Sequence, residues 1–229
     1  MSTPPTLQPT ESDLRFLGGG WRTLTSTYGA DGRAADEWLE LLTRHYSAPD
    51  RHYHNLHHVA EVLRLLGPFE SAAADYDALR FAAWFHDAVY DTRSSTNEEE
   101  SAALAERALA ELRVPAVRSD LVRRLILATK RHKAEGGRPD FGLFLDADLS
   151  ILGTDAETYL AYSEAIRGEY AWVPEHAYLA GRLKVLTDFL RRERLYYTEA
   201  LAQRLEAQAR RNLSDEVRRL SSGLRSPEE

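Results

Sequence analysis

The chain of 229 residues contains no cysteine, which removes disulfides and thiolate chemistry from consideration. No apolar run approaches the ~18 residues that read as a membrane-spanning helix. Alternating strand patterns and internal repeats are also missing. Lysine is scarce, with three in the whole chain, and the net charge of −7 excludes broad nucleic-acid binding while leaving room for a local basic site. The first ten residues, Met1 to Thr10, lack the charged start and apolar stretch of a secretory signal and read as a short disordered leader. What remains, with 43% hydrophobic and 28% charged residues, has the balance of an ordinary soluble, cytoplasmic protein long enough to bury a sizeable core.

The apolar residues that are present follow a helical period. Leu56, Val59, Leu63 and Leu66 recur at intervals of three and four, and Gly67-Pro68 stops that helix. The stretch from Tyr76 to Val89 is apolar nearly all round, which predicts a central, buried helix. Asn97 reads as an N-cap followed by Glu98, Glu99 and Glu100, whose charges suit the helix dipole. Leu121 to Thr129 predicts a helix ended at Glu135-Gly136-Gly137, and Tyr159 to Tyr170 one stopped before Pro174. Segment 175–192 and the residues from Leu201 to Leu220 are helical in pattern too. The expected architecture is all-α: one compact multi-helix domain over 11–220, with frayed ends at 1–10 and 221–229.

Against this background the histidines stand out. Four of eight fall in the seven positions 52–58, where even scatter would place fewer than one. Imidazole and carboxylate are the usual ligands for Zn, Mn or Fe. Phe85-His86-Asp87 and Leu145-Asp146-Ala147-Asp148-Leu149-Ser150 add both types farther along. Spacings of four and three put His54, His58 and Glu61 on one helical face, opposite the Leu56, Val59, Leu63 stripe. Two registers are open at each end of the set, His57 or His58 and Asp146 or Asp148. A plainer reading makes His86-Asp87 a hydrogen-bonded helix end and Asp148 an N-cap. His45, His52 and His176 read as structural or surface residues.

The ordered set His…His-Asp…Asp resembles the HD superfamily of metal-dependent phosphohydrolases, and over roughly residues 20–200 the chain is most similar to the bacterial predicted metal-dependent HD phosphohydrolase family. Tyr53-His54-Asn55-x-x-His58 and Ala147-Asp148-Leu149-Ser150 also resemble segments of cyclic-nucleotide phosphodiesterases. The resemblance implies an HD-like helical bundle in which His58, His86, Asp87 and Asp148 bind a divalent ion (Mn, Mg, Fe, Zn or Ni), with Asp87 able to bridge to a second. It implies His58 over His57 and Asp148 over Asp146, leaving His57 on a helix flank or behind the ligands. His54 is then the proton donor to the leaving oxygen; orienting His58 is the other role open to it. That family's nucleotide-gripping glutamine and hydrophobic clamp have no counterpart here, so cyclic nucleotides do not follow as substrates.

A phosphorylated substrate needs basic groups, and Lys130, Arg131 and Arg51 are the candidates. His132 is a candidate for substrate or a second ion, whereas cations at a helix end also suit the dipole without any ligand. The expected activity is metal-dependent hydrolysis of a small phosphoester, a nucleotide among the options, by a monomer or homodimer. The alternatives are a lyase, hydratase or oxygenase on the same scaffold, or a metal-containing ligand-binding protein.

Overall fold

A computed structural model describes residues 7–134 and 137–223 of the chain. It is all-α: ten α-helices and two short 3₁₀ segments, with no strand among the described residues. None of these helices is long and apolar enough to cross a membrane. Within the described residues, contacts group the chain into two compact units, Leu7–Ala147 and Asp148–Gly223.

The first unit opens with α1 (Glu11–Ser26). Thr10 caps it with a reciprocal box: its hydroxyl accepts from the Asp13 amide, and Asp13 accepts from the Thr10 amide. Part of the expected leader is therefore ordered. Leu7 is buried and its carbonyl accepts from Asn55; residues 1–6 of that leader, and 224–229 of the expected tail, lie outside the described residues. α2 (Gly32–Tyr46) buries Ala35, Trp38, Leu42 and Tyr46 along one stripe. Trp21 ties the two helices by donating to the Ala35 carbonyl at 2.8 Å, and its ring meets Phe81, Trp84 and Phe85.

Those three aromatics belong to α4 (Tyr76–Phe85), the buried central helix, which follows α3 (Leu56–Leu66). α4 stops at Phe85 with His86 as its C-cap, so the buried helix ends at His86-Asp87 as the sequence suggests, and the Asp87 and Ala88 carbonyls turn to Arg51. α5 (Asn97–Glu111) starts with Asn97 as its first residue, not its cap. The Asn97 amide instead grips Asp91, accepting from its N–H and donating to its carbonyl. α6 (Ala116–Thr129) ends well before Glu135, with His132 in the left-handed region at φ 45°; of its expected stop, 135 and 136 lie outside the described residues. α7 (Pro139–Asp148) is buried on every side from Asp140 to Ala147. Asp140 anchors it by accepting from the Ala74 and Asp75 amides.

The second unit contains α8 (Ala156–Glu169), α9 (Glu175–Leu190) and α10 (Glu199–Gly223). Glu216 of α10 is its buried polar centre, pairing Arg182 of α9 at 2.9 Å and accepting from Tyr159 and Ser163 of α8. Burial pushes the Glu216 carboxyl up, but Arg182, Tyr159 and Ser163 outweigh it and hold the group below the ordinary 4.5. A depressed carboxyl stabilises the fold fully above pH 4.5 and loses that contribution as pH falls through its folded value. Glu216→Gln removes this pH-dependent part and leaves Arg182 without its counter-charge. The variant should lose about 3–5 kcal/mol at pH 7, and its stability should fall less steeply than wild type from about pH 5 downward, as read by urea unfolding at several pH values.

Candidate metal centre

Four side chains converge where three helices of the chain end or begin. Asn55 caps α3 by accepting from the His57 amide at 2.8 Å, and its Nδ2 donates to the Leu7 and His52 carbonyls. His58 is therefore the third residue of α3, buried to 3% exposure with its ring 4.8 Å from that of Tyr53. His54 precedes the cap and lies off the helix, so the shared face expected for His54, His58 and Glu61 does not form. Glu61 is exposed and paired with Arg64.

His86, 1% exposed, is the C-cap of α4, and Asp87 follows it directly. The His86 Nδ1 lies 3.1 Å from the Ala83 carbonyl. A carbonyl can only accept, so this contact places the proton on Nδ1 and leaves a lone pair on Nε2 of the neutral ring. That Nε2 lies 3.1 Å from His58 Nε2 and 3.1 Å from Asp87 Oδ2, while His58 Nε2 is 3.8 Å from the same carboxylate oxygen. Asp148, the last residue of α7, completes the group: His58, His86, Asp87 and Asp148 each offer one ligand atom, all within 4.8 Å of one another.

The donor set suits a divalent ion. Bonds of about 2.0–2.2 Å to N and O place opposite ligand atoms ~4.4 Å apart, so rotamer adjustments of a few tenths of an ångström seat an ion among these four. The orientation of His86 by a backbone carbonyl is the usual support behind a ligating imidazole.

The rival registers fall elsewhere. His57 Nδ1 meets Asp13 Oδ2 at 3.1 Å on the flank of α3. Burial raises the Asp13 carboxyl, yet hydrogen bonds from Thr10, His57 and Arg64 prevail and hold it well below the usual range. Asp146 is fully buried two residues before Asp148 and is not among the four. His45 turns its Nδ1 to the Ala88 carbonyl, and His176 is exposed in the first turn of α9.

His54 lies at the edge of the group. Its Nε2 is 4.0 Å from Asp87 Oδ2, and its ring meets that of Tyr90 at 4.2 Å between centroids with a 31° tilt. Arg51, expected to meet a phosphate, is 7% exposed and donates to the carbonyls of His54, Asp87 and Ala88. Lys130 donates to Glu99 and to the Ser95 carbonyl, and the hydrogen bond to Glu99 raises its pKa. Arg131 is exposed and His132 half-buried just beyond α6. Sequence reasoning missed the cap formed by Asn55, although an Asn before an apolar-periodic run is the standard signal for one. It had no signal for the backbone role of Arg51. In comparison with known proteins, the chain matches no family model, no curated protein and no solved structure.

The geometry separates the histidine registers experimentally. His58→Ala and Asp87→Ala should abolish divalent-metal uptake while far-UV circular dichroism stays near wild type. His57→Ala should keep the metal and lose stability through its broken contact with Asp13. Metal retained by Asp87→Ala, measured by elemental analysis, would make that carboxylate structural.

Proposed function

We propose that the protein is a metal-dependent phosphohydrolase of the HD type, acting on a small phosphoester. The observation that supports this reading is the convergence of His58, His86, Asp87 and Asp148 in the order His…His-Asp…Asp. Two imidazoles and two carboxylates favour a first-row ion or Zn over Mg, which prefers an all-oxygen octahedron. A divalent ion bound there supplies Lewis-acid polarisation of a phosphoryl oxygen and of an attacking water.

The side chains themselves have distinct tasks. Asp87, half-buried and next to His86, accepts a hydrogen bond from the attacking water and so aims its lone pair at phosphorus. The water oxygen bonds to phosphorus as the ester P–O bond breaks. The departing oxygen takes a proton from protonated His54, and the proton released by the water restores it. His54 suits this task because it stands beside Asp87 without joining the four converging groups, partly exposed and in ring contact with Tyr90. Arg131 and His132 remain candidates to meet the substrate, whereas Lys130 already carries the Glu99 carboxylate.

His54→Ala should leave metal content unchanged and lower turnover of alkyl phosphoesters by roughly 10²–10⁴-fold. Nitrophenyl esters, whose leaving group needs no proton, should suffer much less. Equal losses on both would assign His54 an orienting role. Absence of phosphoester hydrolysis by the metal-loaded wild-type protein, across alkyl, aryl and nucleotide esters, would favour a lyase, hydratase or oxygenase instead.

A further inference from the structure

Arg51 occupies a position that the hydrolytic reading does not use. Its Nη1 donates to the His54 carbonyl at 2.9 Å and to the Asp87 carbonyl at 2.6 Å, and its Nη2 donates to the Ala88 carbonyl at 3.0 Å. The guanidinium lies between aromatic rings, 5.1 Å from the Tyr46 centroid and 5.3 Å from that of Tyr90. Tyr90 in turn meets the His54 ring. The two segments joined in this way are distant in the chain, His58 and His86 being 28 positions apart, and each bears part of the converging group: His54 leads into His58, and Asp87 follows His86.

We propose that Arg51 is a positioning residue that fixes the spacing between the 54–58 segment and the 86–88 turn, and so presets the ligand geometry before any ion binds. The chemistry explains the residue type. Three carbonyl acceptors suit the rigid, multiply donating fork of a guanidinium, and the delocalised, weakly hydrated cation is well suited to contact aromatic faces. A lysine ammonium is a point donor on a flexible stem and cannot satisfy both segments with the same geometry. Without the clamp, the Asp87 and Ala88 carbonyls lose their common partner, the one that also holds the His54 carbonyl, just where α4 has ended. His45 and Ser101 still hold Ala88 and Val89, but neither ties the His86–Asp87 turn to the 54–58 backbone, so its spacing from His58 loosens.

The proposal rests on the metal reading in its consequence for affinity but not in its structural content, so two measurements separate them. The first is hydrogen exchange on metal-free wild type, Arg51→Lys and Arg51→Met. Both variants should exchange about tenfold faster in segments 54–58 and 86–89 together, with α10 unchanged. The second is Co²⁺ titration, monitored by its visible absorption. Both variants should bind about 10–100-fold more weakly, with an altered band, and guanidinium ion added to Arg51→Ala should restore part of the loss. Wild-type exchange in both segments, or loosening of one alone, would overturn the proposal. Global unfolding of every variant would overturn it as well, by making Arg51 a support of the whole unit. If wild type binds no Co²⁺ yet the two segments loosen together, the clamp stands and the metal reading falls.

Discussion

Two imidazole nitrogens 3.1 Å apart, joined by two carboxylates within 4.8 Å, form the one constraint on which the local structure turns and a group that could hold a divalent ion. His86 cannot donate from Nε2 while its Nδ1–H serves the Ala83 carbonyl. With His86 Nε2 acting as an acceptor, His58 supplies the proton between the rings. The four side chains could instead share one divalent ion, and the local structure is best understood from this point.

The helices deliver these groups because each ligand sits at an end. His58 lies in the first turn of α3, His86 caps α4, Asp87 begins the turn after it, and Asp148 closes α7. Helix ends aim side chains along directions that a helix face cannot, and their free backbone groups need partners from elsewhere. Asn55 provides one such partner at the start of α3 and Arg51 another beyond α4. The interiors of α4 and α7 are mostly apolar, and the converging polar groups lie at or beside their termini. The aromatic contacts of Trp21 with α4 hold the rod from which His86 projects.

Much of this was readable in the sequence, for identifiable reasons. Helical periodicity located α3, α4 and the second unit's helices, since an apolar stripe is a local signal. α1 and α2 were overlooked although Trp21, Leu24, Trp38 and Leu42 carry their stripes. α7, buried all round from Asp140 to Ala147, has no apolar stripe with a period to detect. The motif order identified the four converging residues, including His58 over His57, because the set depends on sequence identity more than on register. Interactions between distant segments left no trace: the contact of His57 with Asp13 spans 44 residues, and the Arg51 clamp reaches Ala88 across 37. Arg51 looked like a phosphate ligand because charge is visible in a sequence and burial is not. The place of His54, in a turn before α3 rather than on its face, depends on where Asn55 starts the helix.

The most direct measurement is X-ray absorption spectroscopy of the purified protein loaded with one equivalent of Zn²⁺ or Co²⁺. The expected spectrum contains two imidazole nitrogens and carboxylate or water oxygens at about 2.0–2.2 Å, with the bound metal lost in His86→Ala as in His58→Ala. A spectrum without imidazole scattering, or an ion that remains fully exchangeable with weak chelators, would contradict a metal centre built from His58, His86, Asp87 and Asp148.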